Sequence, residues 1–362
     1  MTISRRSIAG AIGALALANP LVVHADEAYP RGYPRSYSGL AEQAGREGAL
    51  SIYSSADLTD MAGVLNAFKQ RYPAIKVDYR HFNSTDLYDR FLAEVGVHKP
   101  SADFLFSSAM DVQIKLVNDG YAQPYASPEK PNLPPWAVWK DEAYGITAEP
   151  IVFAYNRRLL SVSEAPRSHV DLERLLRRRA AALRGKIGTY DVEHSSTGFL
   201  FFTQDLRLSN DTWNVLRALG GASPKLDVGA HEILARVSTG EQILAYNVMS
   251  SYALERRAMN PWVEVIFPED YTLVMSRIGF ISNNAHHPAA AKLFLDFLLS
   301  REGQTELSKR FITPVRTDLQ AAQPHGGAQN LQAIRVGPEL MANLDHLKHA
   351  KRIAEWKRAL GR

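Results

Sequence analysis

Short β-prone runs alternate with amphipathic helical segments along nearly the whole chain, and this alternation limits the folds that the chain can adopt. The run LSIYS is followed by Met61, Val64, Leu65 and Phe68 at helical spacing, and after Pro73 the segment IKVDYRHF alternates like a strand. Strand, helix and strand in this order are typical of a parallel α/β unit. The pattern recurs at ADFLFSS, KIGTY and EQILAYNVMSS. The sequence therefore predicts a doubly wound α/β architecture.

Small hydroxyl residues stand at four junctions where a β-prone run ends and a helical segment begins. They are Ser54 and Ser55; Ser107 and Ser108; Ser195, Ser196 and Thr197 with Gly198; and Ser250 and Ser251. Each set alone is typical of helix capping, in which a hydroxyl oxygen accepts a hydrogen bond from the first helical turn. In open α/β sheets, however, ligands bind outside the carboxyl ends of the strands, where helix N-termini favour anions. Four such sets predict one cleft that binds an anion.

Three further polar residues lie near these junctions. Arg277 could pair bidentately with an anion, or it could form a surface salt bridge. Asn247 flanks the junction before Ser250 and is a second candidate for the cleft. Glu149 could recognise an amine on a ligand, or it could cap a loop.

The first 25 residues have the form of a secretory signal peptide. Arg5 and Arg6 precede a short apolar core, which ends in the small-residue pattern VHA at residues 23–25. The apolar run is short and is interrupted by Pro20, which favours cleavage after residue 25 over an uncleaved anchor. The arginine pair leaves both the general secretory and the twin-arginine export routes open. We expect an exported protein located in a periplasm.

Composition excludes several classes of protein. The chain has 362 residues, which is enough for two domains. It contains no cysteine, so disulfides, thiolate metal sites and a cysteine nucleophile are excluded. The formal net charge of +4 falls to +2 without the signal segment, and this balance does not indicate a nucleic-acid partner.

Motifs for catalysis and metal binding are weak. His194 stands next to Ser195, but this adjacency does not define a catalytic triad, and no Gly-x-Ser-x-Gly elbow is present. His286 and His287 precede Pro288 in a predicted turn, which favours a solvated loop over a metal-binding pair. We therefore expect a binding protein without a catalytic residue, a metal ion or a cofactor.

Four segments carry a resemblance to a known family. They are LSIYSSADLTDMAGVLNAFKQRYPAIKVDY, ADFLFSSAMDVQIKLVNDGYAQPY, LRGKIGTYDVEHSSTGF and HPAAAKLFLDFLLSREGQ. Together they resemble the solute-binding proteins of bacterial ABC importers, in particular the ferric-ion-binding group and its relatives that bind sugar phosphates, phosphonates and other small anions. The resemblance covers most of the chain after Gly45. It implies a periplasmic-binding-protein type II fold, with two doubly wound lobes that are joined by a two-strand hinge and close around a ligand.

The resemblance also implies where the ligand binds. Ferric members of the family hold iron with a His, a Glu and two adjacent Tyr. Asp57 falls near the His position, Ser108 falls at the Glu position, and Ser250 with Ser251 falls where the Tyr pair stands. Because trivalent iron prefers anionic oxygen ligands, these serines are poor substitutes. The residues that match the family's anion-binding stretch are Ser196, Thr197 and Gly198.

The family pattern gives the expected organisation and function. Residues 1–25 are the signal peptide, residues 26–148 and 274–300 form the first lobe, residues 149–273 form the second lobe, and residues 301–362 are C-terminal helices that pack on the second lobe. We expect a monomeric solute-binding protein that captures a small anionic organic solute (a phosphate ester, phosphonate or carboxylate) for an inner-membrane ABC permease. Alternatives are a ferric-ion-binding protein and a module that presents its ligand to a membrane sensor kinase. A periplasmic enzyme is less favoured.

Overall fold

The computed structural model describes residues 33–320 and 330–362 of the chain. The predicted signal segment, residues 1–25, lies outside the described residues. Composition predicts a loosely ordered lead-in over residues 26–45, but in its described part a helix begins at Tyr37. The Tyr37 ring is buried and its hydroxyl donates to Asp296 at 2.9 Å, which fixes the start of this helix on the core.

The described strands form two sheets. They are β1 (Ala49–Ser54), β2 (Lys76–His81), β3 (Phe104–Ser107), β4 (Val138–Trp139), β5 (Ala143–Gly145), β6 (Glu149–Asn156), β7 (Ile187–Tyr190), β8 (Lys225–Asp227), β9 (Leu244–Met249), β10 (Val263–Ile266), β11 (Thr272–Met275), β12 (Ile278–Ile281) and β13 (Leu331–Ala333). The first sheet has the order β2-β1-β3-β12-β5-β4, and β1 pairs in parallel with β2 and β3. The second has the order β13-β11-β6-β9-β7-β8, with β10 paired to β6 and β7 parallel to β8 and β9.

The α-helices connect these strands and cover the sheets. They are α1 (Tyr37–Glu47), α2 (Leu58–Arg71), α3 (Ser84–Gly96), α4 (Met110–Asn118), α5 (His169–Arg178), α6 (Ala180–Leu183), α7 (Ser196–Leu208), α8 (Thr212–Gly221), α9 (Ala230–Thr239), α10 (Ser250–Met259), α11 (Pro288–Leu299), α12 (Arg301–Ser308), α13 (Thr317–Gln320) and α14 (His346–Leu360). We call each sheet with its helices a lobe. The mixed α/β class with two sheets confirms the predicted fold class.

The helical spacing after β1 directs one face of α2 into the core of the first lobe. Met61, Val64, Leu65 and Phe68 are all buried, as their spacing predicts. The Phe68 ring meets the Phe294 ring of α11 edge to face, with 5.2 Å between the ring centroids. This packing holds α2, and therefore the β1–α2 junction, in a fixed position on the sheet.

Two of the segments that carry the chain between the sheets are short and lie side by side. β5 ends at Gly145 in the first sheet and β6 begins at Glu149 in the second, while β11 and β12 are separated by Ser276 and Arg277. The Ile146 N–H donates to the Arg277 carbonyl at 2.9 Å, and the Arg277 N–H donates to the Thr147 hydroxyl at 2.9 Å. The two crossing segments therefore support each other between the lobes.

The C-terminal segment divides between the two lobes. Helix α12 packs on α2 and α11 of the first lobe, so the expectation that residues 301–362 pack on the second lobe is wrong for this helix. Helix α14 packs on α8 of the second lobe through the buried side chains of Ile353, Trp356 and Leu360. Between them, a 3-10 helix over Pro338–Asn343 contacts α4 of the first lobe. The difference arises because α12 continues directly from α11, which is anchored on the first sheet.

Candidate functional site

The N-termini of three helices meet between the two lobes. Helix α3 begins at Ser84, α4 begins two residues after Ser108, and Thr197 is the second residue of α7. The Oγ1 atom of Thr197 lies 3.0 Å from the Oγ of Ser108 and 3.3 Å from the Oγ of Ser84. Because α3 and α4 belong to the first lobe and α7 to the second, these hydrogen bonds cross the gap between the lobes.

Six hydroxyl residues make up this arrangement, which we call the hydroxyl cluster. Its members are Ser55, Ser84, Thr85, Ser108, Ser196 and Thr197. Ser108 is central: its Oγ lies 3.3 Å from that of Ser55 and 3.1 Å from that of Ser84, and its N–H donates to Ser55 Oγ at 2.9 Å. A second bond across the lobes joins Thr85 Oγ1 and Ser196 Oγ at 2.9 Å. All of these groups are neutral and can donate hydrogen bonds.

Sequence reasoning found four members of the hydroxyl cluster and missed Ser84 and Thr85. Both follow Asn83, which comes two residues after the end of β2 and caps α3 by accepting from the Asp86 N–H at 2.9 Å. The triplet Asn-Ser-Thr between a strand and a helix was the available signal, because it has the same form as the four recognised junctions.

Three of the predicted hydroxyls bond to nearby backbone groups, and one of these three, Ser195, is a helix cap. Ser54 accepts from the Ala56 N–H at 3.0 Å, and Ser107 accepts from the Ala109 N–H at 3.3 Å. Ser195 accepts from the Gly198 N–H at 3.2 Å, so it is the N-cap of α7. The Ser195 hydroxyl also donates to a backbone carbonyl at 3.0 Å. Both hydrogen bonds of this hydroxyl are therefore structural, and neither involves the neighbouring His194.

A buried ion pair stands where the chain crosses between the lobes. Arg277 Nε donates to Glu149 Oε1 at 2.7 Å and Nη2 donates to Oε2 at 3.2 Å, and both side chains are 0% exposed. Thr147 and Ser251 also donate to the carboxylate, at 2.9 and 2.5 Å. Burial alone would raise the pKa of Glu149, but the Arg277 guanidinium and these hydrogen bonds lower it below its ordinary value.

The pairing changes the interpretation of both residues. From the sequence, Arg277 was expected to pair with an anionic ligand or to form a surface salt bridge. Glu149 was expected to recognise an amine on a ligand or to cap a loop. In the structure each is the partner of the other, and the remaining Arg277 nitrogen, Nη1, donates to the Tyr252 hydroxyl at 3.2 Å. The Arg277 guanidinium is therefore matched in charge inside the protein.

Asn247 is one of the predicted site residues that the structure does not bring to the hydroxyl cluster; Ser250 and Ser251, at the start of α10, are also outside it. Its Nδ2 donates to Asp205 of α7 at 2.5 Å inside the second lobe. Asp205 also accepts from the hydroxyls of Tyr246 and Tyr271, at 2.8 and 2.9 Å. Burial raises the pKa of Asp205 above its ordinary value, and the three donors oppose this. Asn247 therefore has a structural role in the interior of the second lobe, as a hydrogen-bond donor to Asp205.

Another pair of titratable residues joins the lobes beside the cluster. Nε2 of His231, in α9, lies 2.7 Å from Oδ2 of Asp57, the N-cap residue of α2, and His81 Nε2 is 3.6 Å from the other carboxylate oxygen. The hydrogen bond from His231 lowers the pKa of Asp57, and the same bond raises the pKa of His231. The His231 ring also packs on the Tyr252 ring, with 4.5 Å between centroids.

The histidines that the sequence raised as catalytic or metal-binding candidates, His194, His286 and His287, lie elsewhere on the protein. His194 lies 3.1 Å from Asp191, and together with Glu193 these side chains form a group with metal-ligand spacing at the exposed end of β7. His287 Nδ1 lies 2.9 Å from Asp103 Oδ2 and links the start of α11 to the loop before β3, while His286 is exposed. Neither arrangement touches the hydroxyl cluster.

A match to a protein family covers most of the chain. Residues 98–331 match the family described as bacterial extracellular solute-binding protein, and the chain belongs to that family. In the 33–320 and 330–362 ranges, no helix combines the length and the apolar character that spanning a bilayer requires.

Solved structures give the same result. The chain is 37% identical to the substrate-binding protein of an ABC transporter from Agrobacterium tumefaciens, covering 86% of this chain and 94% of that one, with a TM-score of 0.81. Iron-bound HitA from Pseudomonas aeruginosa is 20% identical, covering 86% and 99%, with a TM-score of 0.66. AfuA from Actinobacillus pleuropneumoniae, with fructose-6-phosphate bound, is 20% identical, covering 87% and 99%, with a TM-score of 0.69. This protein is an extracellular solute-binding protein of an ABC transporter, and its homologues are binding proteins.

Proposed function

We propose that this protein is exported to the periplasm by its N-terminal signal peptide and captures a small anionic organic solute between two closing lobes. The solute carries a phosphate ester, phosphonate or carboxylate group, and the loaded monomer delivers it to an inner-membrane permease. The observation that carries this proposal is the hydroxyl cluster, in which neutral donors from both lobes converge at three helix N-termini.

The chemistry of these helix ends favours an anion. The first-turn N–H groups of a helix have no intrahelical acceptor, and the helix N-terminus carries a partial positive charge. Ser84 and Thr197 stand in the first turns of α3 and α7, and the Ser108 hydroxyl lies just ahead of α4. An oxyanion there would accept hydrogen bonds from hydroxyls and backbone amides together.

The expected affinity needs several of these donors. A hydrogen bond to a charged group contributes roughly 1.5–3 kcal/mol, whereas a Kd of about 1 μM corresponds to about 8 kcal/mol. Three or four donors reach that value only if closure of the lobes costs little.

An organic anion fits the side chains better than iron does. HitA was solved with iron and AfuA with fructose-6-phosphate, so this fold accommodates both kinds of ligand. At the two positions where ferric members of the family have adjacent tyrosines, this chain has Ser250 and Ser251, whose hydroxyls are neutral. The Ser251 hydroxyl donates to Glu149. Trivalent iron prefers anionic oxygen ligands, whereas an oxyanion binds well to neutral donors.

Titration calorimetry with a panel of phosphate esters, phosphonates, carboxylates and a ferric salt tests the proposal. We expect an organic anion to bind, and we expect the double variant Ser196→Ala, Thr197→Val to bind it about tenfold or more weakly, the effect of one or two charged hydrogen bonds. Thr239→Val is the matched control, because Thr239 is an exposed threonine at the end of α9. Unchanged affinity in the double variant, or binding of the ferric salt alone, would contradict the proposal.

A further inference from the structure

Arg310 contacts one carboxylate in each lobe. It follows α12 of the first lobe, and its Nη2 donates to Glu255 of α10 in the second lobe. The same Nη2 lies 3.7 Å from Oδ1 of Asp60, which is on α2 of the first lobe. One guanidinium is therefore shared between two carboxylates, and its hydrogen bond goes to the carboxylate in the other lobe.

The pairing of Arg310 with Asp60 is incomplete. A distance of 3.7 Å is within reach of an ion pair but exceeds that of an N–H···O hydrogen bond. In the described part of the chain, Nε of Arg310 is a buried donor without an acceptor, and Oδ2 of Asp60 is a buried acceptor without a donor. Each such atom costs free energy. The bond to Glu255 therefore coexists with an unpaired donor and an unpaired acceptor on two neighbouring side chains.

Another arginine of this protein shows the geometry that would pair both atoms. Arg277 donates from Nε to one oxygen of Glu149 and from Nη2 to the other. A planar guanidinium presents these two donors as a fork that matches a carboxylate. If Glu255 moved away, Nε and Nη2 of Arg310 would be available to the two oxygens of Asp60 in the same way.

Burial and charge favour Arg310 as the group that moves. Its side chain is 36% exposed, whereas those of Asp60 and Glu255 are 5% and 15% exposed. Burial raises the pKa of Asp60, the Arg277 charge opposes this, and the Glu255 carboxylate adds to it. Separation of the lobes would therefore release Arg310 and also remove a repulsion between two carboxylates.

We propose that Arg310 exchanges partners as the lobes move, pairing with Glu255 in the closed form and with both oxygens of Asp60 in the open form. The exchange keeps the Arg310 charge paired in both forms. Glu255 then stabilises the closed form and Asp60 the open form, so the two acids together set the population that is ready to bind solute. This inference rests on the part of the proposed function in which the lobes close.

Double electron–electron resonance on the ligand-free protein measures the two forms. The chain has no cysteine, so Asp89→Cys in the first lobe and Val228→Cys in the second provide two exposed sites for nitroxide labels. We expect two distances between the labels, the longer one from the open form. Glu255→Gln should raise the ratio of open to closed protein about threefold or more, the effect of losing one ion pair.

Variants of Asp60 should act in the opposite direction. Asp60→Asn should lower the ratio of open to closed protein by about threefold or more, and Asp60→Ser, which removes the same carboxylate, should lower it too. Glu306→Gln is the matched control, because Glu306 pairs with Lys309 within the first lobe, and it should leave the ratio unchanged. In an Arg310→Gln background, the changes at Asp60 and Glu255 should each alter the ratio by less than about twofold, because both act through Arg310.

Several results would overturn the inference. They are shifts of the same direction in the Asp60 and Glu255 variants, shifts that persist in the Arg310→Gln background, no shift in either variant, and a single distance between the labels in every protein. Calorimetry with the panel of organic anions tests the proposed capture of solute separately. If no anion bound while the two sets of variants shifted the ratio in opposite directions, the proposed solute would be wrong and the exchange of partners would stand.

Discussion

At the scale of single residues, the most consequential feature is the pair of Glu149 and Arg277. The two residues are 128 positions apart, and nothing in the local sequence of either indicates the other. They meet because the two crossing segments run side by side between the lobes. A fully buried ion pair of this kind contributes little net stability, but it makes each partner depend on the other.

Replacing Glu149 with Gln should therefore destabilise the protein strongly. The Arg277 charge would remain buried without a counter-ion, for which a loss of about 3–5 kcal/mol in the free energy of unfolding is expected. Urea denaturation followed by circular dichroism measures the loss. Glu269→Gln is the control, because Glu269 pairs with Arg167 at the surface, where both side chains are at least half exposed and the expected loss is below about 1 kcal/mol. Similar losses in the two variants would contradict the role of the buried pair.

At the scale of elements, the start of α7 combines a cap, a binding surface and a close contact. Ser195 caps the helix, Ser196 and Thr197 belong to the hydroxyl cluster, and Gly198 packs on Tyr190. The sequence predicted this junction correctly as the start of a helix, because hydroxyl residues followed by an apolar run define such a start. It could not separate the capping hydroxyl from those that reach the other lobe, because that depends on contacts with α3 and α4.

The close contact at Gly198 predicts an effect opposite to helix propensity. Alanine is favoured over glycine in helices by up to about 1 kcal/mol, but a Cβ at Gly198 would lie 2.6 Å from the Tyr190 Cβ, so Gly198→Ala should lower the melting temperature. Gly221→Ala, at the end of α8, is the control, because an added Cβ there meets nothing within 4 Å. That variant should melt at the same temperature or higher. Differential scanning calorimetry of both variants checks this, and a Gly198→Ala protein as stable as the control would disprove the steric argument.

The same distinction between local and long-range signals explains which other parts of the site could be predicted from the sequence. Ser55, Ser108, Ser196 and Thr197 could be found because each stands beside a recognisable helix start. The bond between Asp57 and His231 could not be found, because 174 positions separate them and nothing in the sequence near either residue indicates the other.

At the scale of the whole molecule, side-chain bonds hold the two lobes together in the described arrangement. Arg310, which follows α12 of the first lobe, pairs with Glu255 of α10 in the second lobe, and Asp57 pairs with His231. Other groups near His231 act on the same equilibrium. The Asp60 carboxylate raises the pKa of His231, and Arg256 lowers it.

The Asp57–His231 bond predicts that closure depends on pH. Because the bond raises the pKa of His231, its contribution to the closed form is complete below the ordinary histidine pKa of about 6.5 and disappears as the pH rises through the raised value. Because the bond lowers the pKa of Asp57, the contribution is complete above the ordinary aspartate pKa of about 3.9 and disappears as the pH falls through the lowered value. The bond is therefore strongest in the interval between these two ordinary values.

Small-angle X-ray scattering of the ligand-free protein measures this dependence as a change in the radius of gyration. We expect a smaller radius at a pH of about 5.5 than at about 9, because the first pH lies below the ordinary histidine pKa, where the bond contributes fully, and the second lies well above it. His231→Gln should remove the difference, since glutamine can still donate to Asp57 but cannot titrate. His286→Gln, a change of an exposed histidine that contacts neither Asp57 nor His231, should retain it. If His231→Gln kept the full pH dependence, another group would control closure, and the ion pair would serve only to position α9 against α2.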